Sequence, residues 1–172
     1  MKAILVNDDR SLRWDNVPDP QIKSEEVLVE IHAAALNRAD LMQREGDYPP
    51  PPGCPDWMGL EIAGVIVEMG DEAKAKSNWK IGDKVCALLG GGGYAEYAAV
   101  KYDMLMPVPK NCSMAEAAAI PSICNSLSEF IYRGQYKARK YAAYERRSVR
   151  TGKCYYTYGK GVRCESYNNG FI

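Results

Sequence analysis

Short apolar runs cut apart by glycine turns set the tightest limit on what this chain can fold into. Ala3-Ile4-Leu5-Val6, Val27-Leu28-Val29-Glu30-Ile31, Ile62 to Glu68, Val85 and its neighbours, and Tyr94 to Val100 are all rich in β-branched or small apolar residues. Each is the length of a strand, and glycine, proline or Asn/Asp clusters separate them. Gly59-Leu60-Glu61-Ile62-Ala63-Gly64 is the sharpest case, with two glycines flanking a turn that feeds the buried run Val65-Ile66-Val67 and fixes Glu61 at the turn. Short strands at this density predict a mainly β fold with a few short helices, arranged as a small barrel.

Taken in order, Asn7-Asp8-Asp9-Arg10 turns the first strand into a hairpin toward Leu12-Arg13-Trp14, and Pro18-Asp19-Pro20 is a loop. The nearly continuous apolar pattern of Val27 to Ile31 predicts a strand covered on both faces. His32 is read as a structural residue at that strand's end. Asn37 stands where a helix N-cap should, ahead of Arg38 to Arg44, with Gly46 as the stop and the Tyr48-Pro49-Pro50-Pro51-Pro52-Gly53 segment as a stiff extended loop. Gly70-Asp71-Glu72 is read as a turn, and Ile81-Gly82-Asp83 as a turn into a strand. Gly90 to Gly93 is read as a flexible loop that a neighbouring domain can approach closely. Ser113-Met114-Ala115-Glu116 forms a capping box before Ala117-Ala118-Ala119-Ile120.

After Pro121 the design changes. Residues 1–121 hold 12 Lys/Arg and 19 Asp/Glu, whereas 122–172 hold 10 Lys/Arg against Glu129, Glu145 and Glu165, so the zero formal charge is a cancellation. Eight of the twelve tyrosines fall in this last stretch, while Ile, Leu and Val thin to six, and no period of two or 3.6 is sustained. The tail is read as solvated and largely disordered. Tyr155-Tyr156-Thr157-Tyr158 beside Lys153 and Lys160 also has the composition of a weak single-stranded nucleic-acid contact. Gly159-Lys160-Gly161 lacks the strand and further glycines of a phosphate loop.

The remaining composition excludes several classes. No apolar run approaches membrane-spanning length, and Met1-Lys2 leads straight into a strand, so a cytoplasmic protein without a membrane partner is expected. Six scattered cysteines with no C-x-x-C pair, and a single histidine, give a tetrahedral zinc site little to work with.

Leu36-Asn37-Arg38-Ala39-Asp40-Leu41-Met42-Gln43-Arg44, Tyr48 and its prolines, Gly59 to Gly64, Gly82-Asp83-Lys84-Val85, Gly92-Gly93-Tyr94-Ala95-Glu96-Tyr97 and Ala117 to Pro121 occur in that order. In this the chain resembles the NAD(P)H quinone oxidoreductase, or zeta-crystallin-like, branch of the medium-chain dehydrogenase/reductase superfamily. The resemblance covers residues 1–121, about 70% of the chain. It implies a GroES-like, partly open β-barrel forming most of a catalytic domain, with NADPH as cofactor and a quinone or enone as substrate. Zinc members of the superfamily carry cysteine where this chain has Asn37 and histidine where it has Leu60, so the resemblance implies a site with no metal. It places Asn37 against the nicotinamide and Tyr48 in the acceptor pocket, its phenol donating to the quinone oxygen; both then serve as catalytic and cofactor-contacting residues. Glu61 matches a family glutamate and is expected to anchor the turn by hydrogen bonds. Without a cation, hydride transfer needs an acceptor whose conjugated carbonyl already spreads the developing charge.

The family continues into a Glu-x-x-x-Thr-Ala-Tyr segment and a Rossmann domain that binds the cofactor pyrophosphate. Neither is legible here, so a truncated chain with little activity of its own is expected. Residues 122–172 are read as the product of a shifted frame. Ser122 to Glu129 can be encoded AGT ATA TGC AAC AGC TTA TCT GAA, which read one base later gives Val-Tyr-Ala-Thr-Ala-Tyr-Leu, the family's segment. Two alternatives to enzymatic ancestry stand beside this: a non-catalytic GroES-like binding module, and nucleic-acid binding through the basic tail.

Overall fold

The computed structural model describes residues 1–125 and the backbone of three later strands. β1 (Lys2–Val6) and β2 (Leu12–Asn16) form the expected hairpin, in register from Lys2 opposite Asn16 to Val6 opposite Leu12. The other edge of β1 is tied by Ile4 N–H to Tyr94 O (2.8 Å) and Glu96 N–H to Lys2 O (3.1 Å). The centre of the molecule is a sheet of β3 (Glu26–Ala35), β4 (Glu61–Met69), β5 (Lys84–Leu88), β6 (Tyr97–Lys101) and β7 (Leu105–Pro107), every pair antiparallel, in the order β6-β3-β4-β5-β7. The outer strands β6 and β7 do not pair with each other, so the sheet curls without closing. The fold is thus mostly β with short helices, as expected, and no closed barrel forms.

The period of two along the strands builds two separate cores. Ile62 and Ile66 of β4, Val85 and Ala87 of β5, and Val27 and Val29 of β3 fill one cluster with Ala98, Val100 and Leu105. Ala63 and Cys86 point the other way, into a second cluster with Ala117, Ala118 and Ile120. Irregular register between Ile31 and Ala33 lets Ala33 and Ala35 pack on the second cluster, although Val27 and Val29, at the same parity, face the first. The strand buried on both faces is therefore β4, whose first four residues are all buried. β3, expected to be so, leaves Glu30 and His32 exposed. Its apolar run misled because β6 and β4 cover its edges while solvent reaches part of one face. His32 sits inside β3, not at its end, with Nε2 3.7 Å from Glu30 Oε2.

The helices are short. α1 (Arg38–Glu45) starts at Asn37 and stops at Gly46, whose φ of +88° places it in the left-handed region, so that its N–H and that of Asp47 reach Gln43 O and Met42 O. α2 (Asp71–Lys76) replaces the turn expected at Gly70-Asp71-Glu72. An acidic first turn and basic last turn suit the helix dipole, and Ala73, fully buried, donates its N–H to Ser24 O at 3.0 Å. α3 (Met114–Ala118) carries the expected capping box: Ser113 N–H donates to Glu116 Oε2 at 2.9 Å, and Glu116 N–H returns to Ser113 Oγ at 3.3 Å. Residues 121–125 are helical as well.

The Gly90 to Gly93 run is packed by its own chain. Gly92 N–H donates to Trp57 O (2.8 Å), Gly93 N–H to Gly59 O (2.9 Å), and Trp57 Nε1 to Gly92 O (3.0 Å). Gly91, Gly92 and Gly93 are buried, and a Cβ at Gly92 would lie 2.8 Å from Pro55. The expected open loop is therefore a buried seam against the proline loop.

β8 (Ala142–Tyr144), β9 (Lys153–Thr157) and β10 (Gly161–Glu165) form a separate three-stranded antiparallel sheet, order β10-β9-β8, that pairs with neither of the others. The sequence reading expects no strand there. Apolar alternation is not sustained in this stretch, whereas Tyr155, Tyr156 and Thr157 favour extended backbone without it. The composition-based readings of the tail otherwise fall outside the described residues. Among the described residues no helix is long and apolar enough to cross a membrane.

Candidate functional site

The site forms where three segments distant in sequence meet at one carboxylate. β3 ends at Ala35, and Asn37 leaves it in extended conformation (φ −120°, ψ 159°) as the N-cap of α1. Asn37 N–H donates to Asp40 Oδ2 at 2.6 Å and the Asp40 N–H returns to the Asn37 backbone O at 3.1 Å, while the Asn37 side chain makes no cap hydrogen bond. Asn37 Nδ2 donates to Glu61 Oε2 at 2.7 Å. Glu61, 3% exposed, is the first residue of β4 and pairs with Ala35 on one side and Leu88 on the other. Its second oxygen, Oε1, accepts the backbone N–H of Ser122 at 2.5 Å. Both carboxylate oxygens are thus engaged, which is what a buried charge requires.

Gly59 and Gly64 frame this carboxylate for different reasons. Gly59 has φ +107°, and a Cβ there would lie 2.3 Å from Tyr94 N. Gly64 lies against β3, where a Cβ would come within 2.0 Å of Glu30 O. The motif is spaced by backbone approach at both ends, with Glu61 held between them.

Further buried polar groups surround the pair. Asp40 is 3% exposed, and its Oδ1, like both side-chain polar atoms of Gln43, has no hydrogen-bond partner among the described residues. Tyr94 donates its phenol to Ala35 O at 3.2 Å. Burial pushes that phenol well above the ordinary range, with Asp40 alongside and the Glu61 charge adding to it. Burial likewise pushes the Cys86 thiol to about 12, reinforced by Cys124, Cys112 and Glu61. Cys86 is therefore a protonated core residue at neutral pH.

The two expected site residues stand at opposite ends of α1. Asn37 precedes α1 and Tyr48 follows it, so an eight-residue helix about 12 Å long separates them. Asn37 is half-buried and Tyr48 is 41% exposed. Leu60 is half-buried beside Glu61, and Leu36, Leu41 and Met42 stand exposed around α1. Sequence reasoning found Asn37 and an anchoring Glu61, and both anchor as hydrogen-bonded residues. It missed that they bond to each other, and missed Tyr94, because no local pattern signals a contact between residues 24 or more apart; Asp40, three residues from Asn37, stood in the motif without a role.

Residues 23–110 match the family model of the alcohol dehydrogenase GroES-like domain. The chain belongs to this family. The GroES-like chain is 36% identical over 138 residues to an NADPH-dependent alkenal/one oxidoreductase, chloroplastic, of Arabidopsis thaliana, covering 73% of this chain and 34% of that protein. It is 36% identical over 105 residues to a quinone oxidoreductase of Mus musculus, covering 60% of this chain and 30% of the other. Among solved structures, the quinone oxidoreductase of Thermus thermophilus, studied alone and with NADPH, superposes with a TM-score of 0.62 at 30% identity, over 81% of this chain and 43% of that one. The GroES-like chain thus spans about a third of the length of these curated relatives.

Proposed function

We propose that this chain is the catalytic-domain portion of an NADPH-dependent quinone or enone reductase that works without zinc. The observation that carries the reading is the donor set around Glu61. An amide stands at position 37 and an alkyl side chain at position 60, and the one carboxylate between them already accepts two N–H groups. Among the described residues no group of three or more His, Cys, Asp or Glu could hold a metal ion. Such a donor set suits no Lewis-acid cation, which needs about three ligands.

Within this reading Asn37 orients the nicotinamide and Tyr48 lines the acceptor pocket, its exposed phenol donating to the acceptor oxygen as charge develops there. NADPH, when bound, supplies the hydride. Leu36, Leu41 and Met42, exposed here, offer an apolar surface that a flat conjugated acceptor would cover. In this reading Asn37 and Tyr48, standing at opposite ends of α1, serve two stacked partners, cofactor and acceptor, and their separation by the helix supports it. A cytoplasmic location belongs to the same proposal.

The tail beyond Pro121 is proposed to stem from a shifted reading frame. Sequencing the DNA across codons 118 to 130 tests it: without a family-like frame beneath Ser122 onward the idea fails. Where that frame exists, the restored protein is expected to oxidise NADPH with a quinone or enone at a rate unaffected by chelators, and inactivity with both acceptor classes overturns the functional reading. The present 172-residue chain is expected to bind NADPH weakly or not at all, and micromolar binding in a titration contradicts this.

The exposed apolar residues around α1 favour one second reading, a non-catalytic binding module. It gains if the restored protein is stable, soluble and blind to the cofactor.

A further inference from the structure

We infer that Glu61 is a positioning residue, whose carboxylate dictates which end of the Asn37 amide faces inward and couples that amide to the chain leaving the domain at Ser122. The inference rests on the functional reading above for its purpose, but on geometry alone for its content. A carboxylate only accepts. At 2.7 Å from Glu61 Oε2, the inward atom of Asn37 must therefore be Nδ2, and Oδ1 turns away. Flipping the amide would set two acceptors against each other at Glu61.

The other oxygen of Glu61 holds Ser122 through its backbone N–H at 2.5 Å. That bond does not depend on which side chain occupies position 122, so it survives a change of frame there unless proline is introduced. Glu61 is buried at 3% exposure, and water does not compete for either oxygen. One rigid group therefore links Asn37 to the first residue after Pro121. A shift of the segment beyond Pro121 is transmitted to the Asn37 amide through a single carboxylate. Nearby titratable groups are Asp40, Tyr94 and Cys86, and both the Asn37 Nδ2 and the Ser122 N–H donate to Glu61 instead.

Nuclear magnetic resonance on the 172-residue chain tests this without cofactor or activity, so its outcome is separate from that of the reductase reading. In the wild type, one Asn37 side-chain amide proton is expected downfield of free amides and the backbone amide of Ser122 protected from exchange; absence of both overturns the inference before any variant is made. Glu61→Gln keeps the volume but offers one acceptor and one donor to two donors, so one of the two signals is lost, with about tenfold faster exchange if Ser122 is released. Adding Asn37→Asp restores the match. The amide nitrogen introduced at position 61 then donates to the carboxylate introduced at position 37, while the amide oxygen at 61 accepts from Ser122; aspartate also remains a competent cap. Recovery of the Ser122 amide to within about threefold of the wild-type exchange rate, with a downfield side-chain amide proton at position 61, is the expected result. A Glu61→Gln chain that keeps both signals, or a double variant no better than that single one, overturns it.

Discussion

A single buried carboxylate illustrates how little freedom a residue has once its neighbours are fixed. Glu61 has both oxygens engaged, and the glycines on either side of its turn leave no room for side chains. Gly64→Ala would push a methyl group into Glu30 O and part β4 from β3. A loss of about 1–3 kcal/mol, or failure to fold, is expected in urea unfolding, and an unchanged midpoint argues against the close approach. Cys86 gives a pH-dependent test. Its thiol rises from an ordinary value of 9.0 to about 12 in the folded state, so the folded chain holds the proton more tightly than the unfolded one. Its contribution is fully present below pH 9 and declines as pH rises toward 12, and Tyr94 acts in the same direction only above its own ordinary value of 10.0. Unfolding measured between pH 8 and about 10.5 should show a shallower decline in Cys86→Ala than in the wild type. Equal slopes contradict the assignment. In native chain at about pH 8, alkylating reagent should leave Cys86 unmodified while it labels the more exposed Cys54.

Among the elements, the two cores put different strands at risk. Ile66 of β4 is fully buried in the larger cluster, and Ile66→Ala is expected to cost about 2–5 kcal/mol by urea denaturation, or to leave the chain unfolded. Ser113→Ala removes the reciprocal cap of α3 and should cost about 1 kcal/mol, because the exposed cap is replaced in part by water. The capping residues were legible because a cap is a local arrangement between neighbours three apart. Thus Ser113 with Glu116, Asn37 before its helix, and Gly46 after it could be read directly. α2 was not, since six residues carry little periodicity and its stability comes from Ala73 and Glu72 bonding back to Ser24. β3 was misread for a similar reason: alternation cannot say which edge a neighbour covers, and the irregular register after Ile31 shifts the phase.

For the whole molecule, the five-stranded sheet and both clusters involve residues no later than Cys124, and the tail sheet shares no strand pairing with them. A chain ending at Asn125 is therefore expected to unfold within about 0.5 kcal/mol of the full one, and a larger loss shows that the tail supports the core. The proposed change of frame makes a second prediction about the same region. Amides of residues 125–170 should exchange without strong, uniform protection, and protection throughout contradicts it. The site's legibility was divided in the same way: Asn37, Leu60 and Glu61 could be picked out from their motifs, whereas the bonds that join Asn37 to Glu61 and Glu61 to Ser122 could not.

By itself the sequence determined the mainly β class, the caps and turns, the family and the donor types at positions 37, 60 and 61. These are properties of residue identity and of neighbours a few positions apart, where sterics and hydrogen-bonding capacity act locally. Only the tertiary structure decided that β4 is the strand buried on both faces, that the Gly90 to Gly93 run is a seam packed by its own chain, and that one carboxylate joins three segments. Those outcomes depend on which surfaces exclude water together. Burial makes a hydrogen bond between residues 24 and 61 positions apart obligatory, and no local pattern encodes it.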